Sequence, residues 1–185
     1  MSLHTTVEAR KLTIREFHAL EPVLDPDYRY ELLDGKILVM PVPGNPHTTV
    51  WRRLRRQLLR HERPGLYPWE GGLVLGDNDE PWPDLTLVAL DPEGRPTNPN
   101  ASEAKLVVEI SCSTLSRDTH EKLQAYQAAG VPEYWVIDVS GRRVLRHLLP
   151  GYETQAFSAG PLSPQAYPDV TIDVGALFQD LKGQP

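Results

Sequence analysis

The chain has 185 residues, with 25 acidic against 19 basic side chains and a formal net charge of −6, a balance that argues against bulk, non-specific affinity for nucleic acid and leaves only local basic patches to weigh. Its hydrophobic fraction of 40% and charged fraction of 24% are those of an ordinary soluble globular protein, and the length suits one domain over residues 1–185 with a proper core. The lone Cys112 excludes an internal disulfide and a cysteine-rich zinc site and suits a reducing cytoplasm, while no apolar run reaches membrane-spanning length and the first residues carry no secretory h-region.

Residues 1–12 read as a loose terminus. Thr13-Ile14-Arg15-Glu16 has the capping-box order and predicts a short helix through Leu20. The β runs Tyr28 to Leu33 and Lys36 to Met40 flank Asp34-Gly35, a strong hairpin signal. A loop from Pro41 leads to Asn45 as N-cap and Pro46 in the first turn of a helix reaching about His61. At about 100° per residue, His47, Val50, Trp51, Leu54 and Leu58 share one arc, and Arg52, Arg53, Arg55, Arg56 and Arg60 lie opposite. The arginine face reads either as a solvated surface or as phosphate contact along a nucleic-acid backbone, with Arg52, Arg56 and Arg60 as the contacts. His47, on the core-facing stripe, reads as a half-buried satisfied histidine rather than a catalytic base. Gly72 to Leu75 predicts a strand, and Gly76 to Glu80 an acidic turn without the ligand spacing of an EF-hand.

Asp84 to Leu90 predicts a strand, Asp91 to Ala104 a long mobile or functional loop, and Lys105 to Ser111 a second strand. A helix from about Ser116 to Ala129 is closed by Gly130. Glu133 to Val139 and Arg142 to Leu148 form a hairpin at Ser140-Gly141, Tyr152 to Phe157 a further strand, and Asp173 caps a last helix through Leu181. The strand–helix–strand unit from Lys105 to Val139 predicts a right-handed parallel crossover. With the hairpins around it, the class is α/β or α+β: a mixed central sheet flanked by helices.

Two acids stand inside otherwise apolar β runs, Asp84 and Glu109. A carboxylate in a buried strand is costly unless something pairs with it, and a hard divalent cation is one such partner. Glu109 alternates with Leu106, Val108 and Ile110, so it shares a face with Val107 and Ser111. On the following helix Asp118, Lys122, Leu123, Ala125, Tyr126 and Ala129 fall within roughly 160°, which turns Lys122 inward. Read from the residues alone, Asp84, Glu109 and Lys122 are either a hydrolytic site or a buried ion-pair network without catalysis.

Proline-aspartate, a strand glutamate and a helix lysine resemble the PD-(D/E)XK nuclease superfamily. The longer run Val107-Val108-Glu109-Ile110-Ser111, Asp118, Lys122, Tyr126, Gly130-Val131, Glu133-Tyr134-Trp135 and Asp138 resembles its bacterial Uma-two family. So do Tyr30-Glu31-Leu32-Leu33-Asp34-Gly35 and Pro46-His47, so that the resemblance covers most of residues 28–148. It implies a restriction-endonuclease-like fold, magnesium held by Asp84, Glu109 and the Ile110 carbonyl, and Lys122 beside the attacking water or a phosphate oxygen. Glu31 resembles the upstream acid that some members add to the site, or else is an edge-strand surface acid. The superfamily pattern has lysine two residues after the glutamate, where this chain has Ser111; Lys122 would supply that cation from the helix instead.

A thiol hydrolase built on Cys112 and His120 lacks a third residue, and there is no Gly-x-Ser-x-Gly elbow, Walker loop or Gly-x-Gly-x-x-Gly fingerprint. The expectation is a magnesium-dependent DNA endonuclease acting as a homodimer, since twofold symmetry suits a two-stranded substrate. Its rival is a non-catalytic nucleic-acid- or protein-binding module that keeps the nuclease fold.

Overall fold

The computed structural model describes residues 9–40, 42–61, 63–90 and 97–181. Residues 1–8 of the predicted loose terminus and 91–96 of the 91–104 loop therefore lie outside the described residues, as does Pro41. Helix α1 (Ile14–Leu20) opens with the expected capping box between Thr13 and Glu16. Strands β1 (Arg29–Leu33) and β2 (Lys36–Met40) then form an antiparallel hairpin as a small sheet of its own. Asp34 and Gly35 turn it with φ of 52° and 68°, a pair of left-handed residues suited to the twist of a hairpin. Helix α2 (Asn45–Leu58) starts from Gly44 rather than from the expected Asn45 cap, and no side chain caps it.

The main sheet has six strands in the order β3 (Tyr67–Trp69), β4 (Leu85–Val88), β5 (Ala104–Ser111), β6 (Glu133–Asp138), β7 (Arg143–Leu148) and β8 (Gln155–Phe157). Only β5 and β6 run parallel, joined through α3 (Leu115–Thr119) and α4 (Glu121–Ala128), as the crossover reading requires. A short β9–β10 pair (Pro161–Leu162, Ile172–Asp173) and α5 (Val174–Phe178) follow, α5 capped by Asp173 as expected though ending earlier.

Alternation along β5 sorts its two faces. Leu106, Val108 and Ile110 pack with Val50, Leu54 and Leu58 of α2 and with Leu177 and Phe178 of α5. Val107 packs on the other side with Tyr126 of α4 and with Tyr134 and Val136 of β6. The sheet thus lies between α2/α5 and α3/α4, and β5 and β6 are buried at nearly every position, as central strands covered on both faces must be. Among the described residues no helix is long and apolar enough to cross a membrane.

Two further local expectations are corrected, and one strand was not expected. Residues 72–75 are not a strand: the N–H groups of Leu73, Val74 and Leu75 go to Pro81, Pro99 and Asp79 in turn, so no ladder forms. The edge strand β3 was hidden by its central Pro68, which an edge position tolerates. The single helix expected over 116–129 is two, broken at His120 (φ −126°, ψ −75°). There the Thr119 hydroxyl binds the Leu115 carbonyl at 2.7 Å and His120 Nδ1 lies 2.7 Å from the Ser116 carbonyl. Those are the acceptors the next helical turn would use, so the side chains displace the backbone ladder.

Candidate active site

The register of β4 on β5 pairs Leu85 with Val108, which brings Asp84, one residue before β4, beside Glu109. Beyond the end of that ladder the Ile110 N–H donates to Asp84 Oδ2 at 2.7 Å. The other oxygen, Oδ1, lies 2.9 Å from His47 Nε2. Trp51, one turn further along α2, donates its indole N–H to the Asp84 carbonyl at 3.3 Å. Asp84 is thus held by β5 on one side and by two residues of the core-facing stripe of α2 on the other.

Glu109 is held from the opposite layer. Its Oε1 accepts from Lys122 Nζ at 2.9 Å and from the Tyr126 hydroxyl at 2.8 Å, two groups four apart on α4. Lys122 Nζ also lies 2.8 Å from Glu31 Oε2, which β1 carries in from the separate hairpin and which accepts the Trp82 N–H at 3.1 Å. Lys122 and Glu31 are fully buried, so Glu31 is no surface acid, and among the described residues its buried Oε1 has no hydrogen-bond partner. Asp118 does not grip Lys122: its Oδ2 accepts from Ser111 and Thr114, both at 2.5 Å, tying the end of β5 to the start of α3.

Charge in this cluster does not balance. Lys122 is one ammonium against Glu31 and Glu109, with Asp118 and Asp84 close enough to add to the negative field. Burial pushes the Glu109 carboxyl well above its usual range; Lys122 pulls against that, and Asp118, Asp84 and Glu31 add to it. Burial also works against the Lys122 ammonium, but the charges of Glu109, Glu31 and Asp118 outweigh it and hold its pKa above the ordinary lysine value. The Glu109 shift is first of all one of burial; it is the count of one ammonium against Glu31 and Glu109, with Asp118 and Asp84 nearby, that leaves the cluster short of positive charge. A proton relieves that shortage, and so would a cation.

Asp84, Glu109, Ile110 and His47 line a cleft of about 410 Å³ whose walls also include Trp51, Trp82 and Arg117. Lys122 and Glu31 do not line it; they stand behind Glu109. A more open groove of about 1040 Å³, between α1 and residues 74–77 and 100–102, includes none of these acids. Among the described residues no three His, Cys, Asp or Glu side chains group as a metal site of their own. Two carboxylates and a backbone carbonyl nevertheless suit magnesium, which keeps several waters and is completed by substrate phosphate oxygens.

The family Uma2, described as "Putative restriction endonuclease", matches residues 14–175. This chain belongs to the Uma2 family. A crystal structure of a protein from Anabaena variabilis, described as a putative nuclease belonging to DUF820, superposes on it with a TM-score of 0.73 at 18% identity. The superposition covers 90% of this chain and 97% of that one, and establishes a shared fold. No protein of curated function matches.

Within this Uma2 protein the arginines of α2 and of the 3-10 turn that follows it (Leu59–His61) divide. Arg53 donates to the carbonyls of Leu177 and Gln179 at 3.0 and 2.6 Å, and Arg55 pairs with Glu70 at 2.7 Å and lies over the Trp51 ring. Arg52, Arg56 and Arg60 are exposed, and among the described residues they have no charged partner. Tyr126 and Arg117 went unremarked as site residues in the sequence. Tyr126 stands one turn past Lys122, which was a usable signal; for Arg117 there was none, because its place on the cleft wall depends on how α3 packs beside Met40 of β2.

Proposed function

We propose that this Uma2 protein is a magnesium-dependent DNA endonuclease, with Asp84 and Glu109 as the acids that hold the metal. The observation that carries the reading is the pair of carboxylates that lines the cleft, Asp84 just before β4 and Glu109 on β5, with one ammonium behind them against Glu109 and Glu31. Asp84, Glu109 and the Ile110 carbonyl would hold the ion. When bound, magnesium supplies charge for the scissile phosphate and lowers the pKa of a water.

The chain's own residues do the positioning. Lys122 and Tyr126 fix one oxygen of Glu109, while the Ile110 N–H and His47 fix Asp84. Lys122, from its place behind Glu109, pulls against the upward shift of that carboxyl and aims it; Glu31 completes the pocket that holds the ammonium. The exposed Arg52, Arg56 and Arg60 would take backbone phosphates of DNA, and a homodimer would present two such sites to its two strands.

The rival, a non-catalytic binding module, is favoured by one observation: Lys122 is fully buried and does not line the cleft. Cleavage of supercoiled DNA titrated with magnesium separates the two. Asp84→Ala and Glu109→Ala are each expected to abolish magnesium-dependent cleavage and to lose the heat of magnesium binding in calorimetry. Unchanged magnesium affinity in both variants removes the metal assignment, and no cleavage by the wild type under any divalent cation favours the binding module.

A further inference from the structure

The cleft wall carries an aromatic feature that neither a metal nor a duplex backbone accounts for. Trp82 stands two residues before Asp84, on the wall of the same cleft, and keeps 39% of its surface exposed. The Arg29 guanidinium lies 5.9 Å from its ring centroid, covering part of the indole and leaving the rest open. A second indole, Trp51, also lines the cleft and is fixed by its bond to the Asp84 carbonyl. Arg117 also lines the cleft, yet pairs with no carboxylate among the described residues, although Asp84 and Glu109 share the space. Among the described residues its Nη2 has only the weak acceptor Met40 Sδ at 3.8 Å, and its buried Nε has no acceptor. A buried guanidinium N–H without a partner is costly, and the fork geometry of arginine suits a phosphate.

From these we infer that the cleft takes an unstacked single strand of nucleic acid, one base lying on Trp82 and a neighbouring phosphate on Arg117. In a duplex both faces of each base are covered by its neighbours, so a half-exposed indole on a cleft wall can stack only on a base that has left the helix. Stacking of this kind is tolerant of sequence, because every base has a π-face. The inference rests on the nuclease reading for the polarity of the site and narrows its substrate to single-stranded or locally opened strands. The chemistry on the page is shared by DNA and RNA.

The test measures binding rather than cleavage. Fluorescence anisotropy follows a labelled oligothymidylate, an oligouridylate of the same length and a matching DNA duplex, with calcium in place of magnesium to offset the acids. At least one single strand is expected to bind more tightly than the duplex. Trp82→Ala is expected to weaken that strand about 5- to 150-fold, the range of one lost base–aromatic stack, while Trp82→Phe keeps most of the affinity. Arg117→Gln is expected to weaken it too and to lower its salt dependence by about one phosphate contact. Thermal melting of the same proteins separates lost binding from lost folding. Duplex bound as tightly as both single strands overturns the inference, as does a Trp82→Ala variant that melts normally and loses less than about twofold against an expected stacking loss of several-fold. A wild-type protein that shows the single-strand preference and the Trp82 effect but never cuts in magnesium supports this inference and removes the nuclease reading. One that cuts duplex DNA equally well without Trp82 does the reverse.

Discussion

Lys122 is the residue on which the site's stability and chemistry meet. It is fully buried between Glu31 and Glu109, so removing it leaves two carboxylates inside the protein with one partner fewer. Lys122→Met is expected to cost about 3–5 kcal/mol, the usual loss when one member of a buried ionic group is deleted. Adding Glu31→Gln should recover part of that, because it removes one of the stranded charges; a double-mutant cycle read by denaturant unfolding measures the coupling. If Lys122→Met melts like the wild type, the buried pairing does not hold the fold together. Glu109 predicts a pH dependence as well. Its folded pKa is raised above the ordinary value of 4.5, so the folded state binds the extra proton. Its contribution to stability is complete below that value and is lost as pH rises through the raised one. The melting temperature of the wild type should therefore fall over that window more steeply than that of Glu109→Gln. Equal slopes would place the titrating group elsewhere.

Among the elements, α2 carries the clearest division of labour, and the sequence disclosed only half of it. Arg52, Arg53, Arg55, Arg56 and Arg60 share one side of the helix wheel, but only the fold separates those that hold the protein from those that face solvent. Arg53 reaches the carbonyls at the end of α5, so Arg53→Ala should destabilise by about 1.5–3 kcal/mol, the worth of a charged hydrogen bond. The triple reversal of Arg52, Arg56 and Arg60 to glutamate should leave the melting temperature nearly unchanged while weakening DNA binding and flattening its salt dependence. Survival of both binding and salt slope would make that face a solvated surface. The legible parts of the chain were those where a period or a turn residue decides alone: the Asp34-Gly35 hairpin, the parallel strand–helix–strand unit, and the inward side of Asp118, Lys122 and Tyr126, which outlasts the break at His120. What could not be read depends on partners distant in the chain. Glu31 is buried only because Lys122 meets it from α4, Lys122 stands behind Glu109 only because β5 intervenes before the cleft, and residues 72–75 fail as a strand because their amides find three separate acceptors.

Across the whole molecule, the site depends on how the β1–β2 hairpin is anchored to the six-stranded sheet. A two-stranded hairpin is marginal alone, and this one contributes Glu31 to the interior. Its anchor is the acidic turn at residues 76–80. Leu32 and Glu80 exchange both backbone hydrogen bonds, at 3.2 and 2.8 Å, and the Gly35 N–H donates to the Asn78 carbonyl at 2.9 Å. Asn78 in turn donates to the Leu12 carbonyl at 2.6 Å, and Leu12 to that of Gly35 at 3.0 Å, closing a ring of contacts around the turn. Gly35 is the weak point of that ring. It has φ of +68°, and a Cβ there would meet the backbone and Cβ of Lys11. Gly35→Ala is therefore expected to cost about 1–3 kcal/mol, the range for a residue forced into a sparsely populated conformation. If the hairpin and the buried triad open together, hydrogen exchange should speed up at Leu32 and Leu33 and, in the same variant, around Glu109 and Lys122, far from the substitution in sequence. Magnesium-dependent cleavage should decline with it, because Glu109 loses its fixed neighbour. Faster exchange confined to β1 and β2, with the strand around Glu109 unaffected, would show that the hairpin opens by itself and that Lys122 holds Glu109 without help from Glu31.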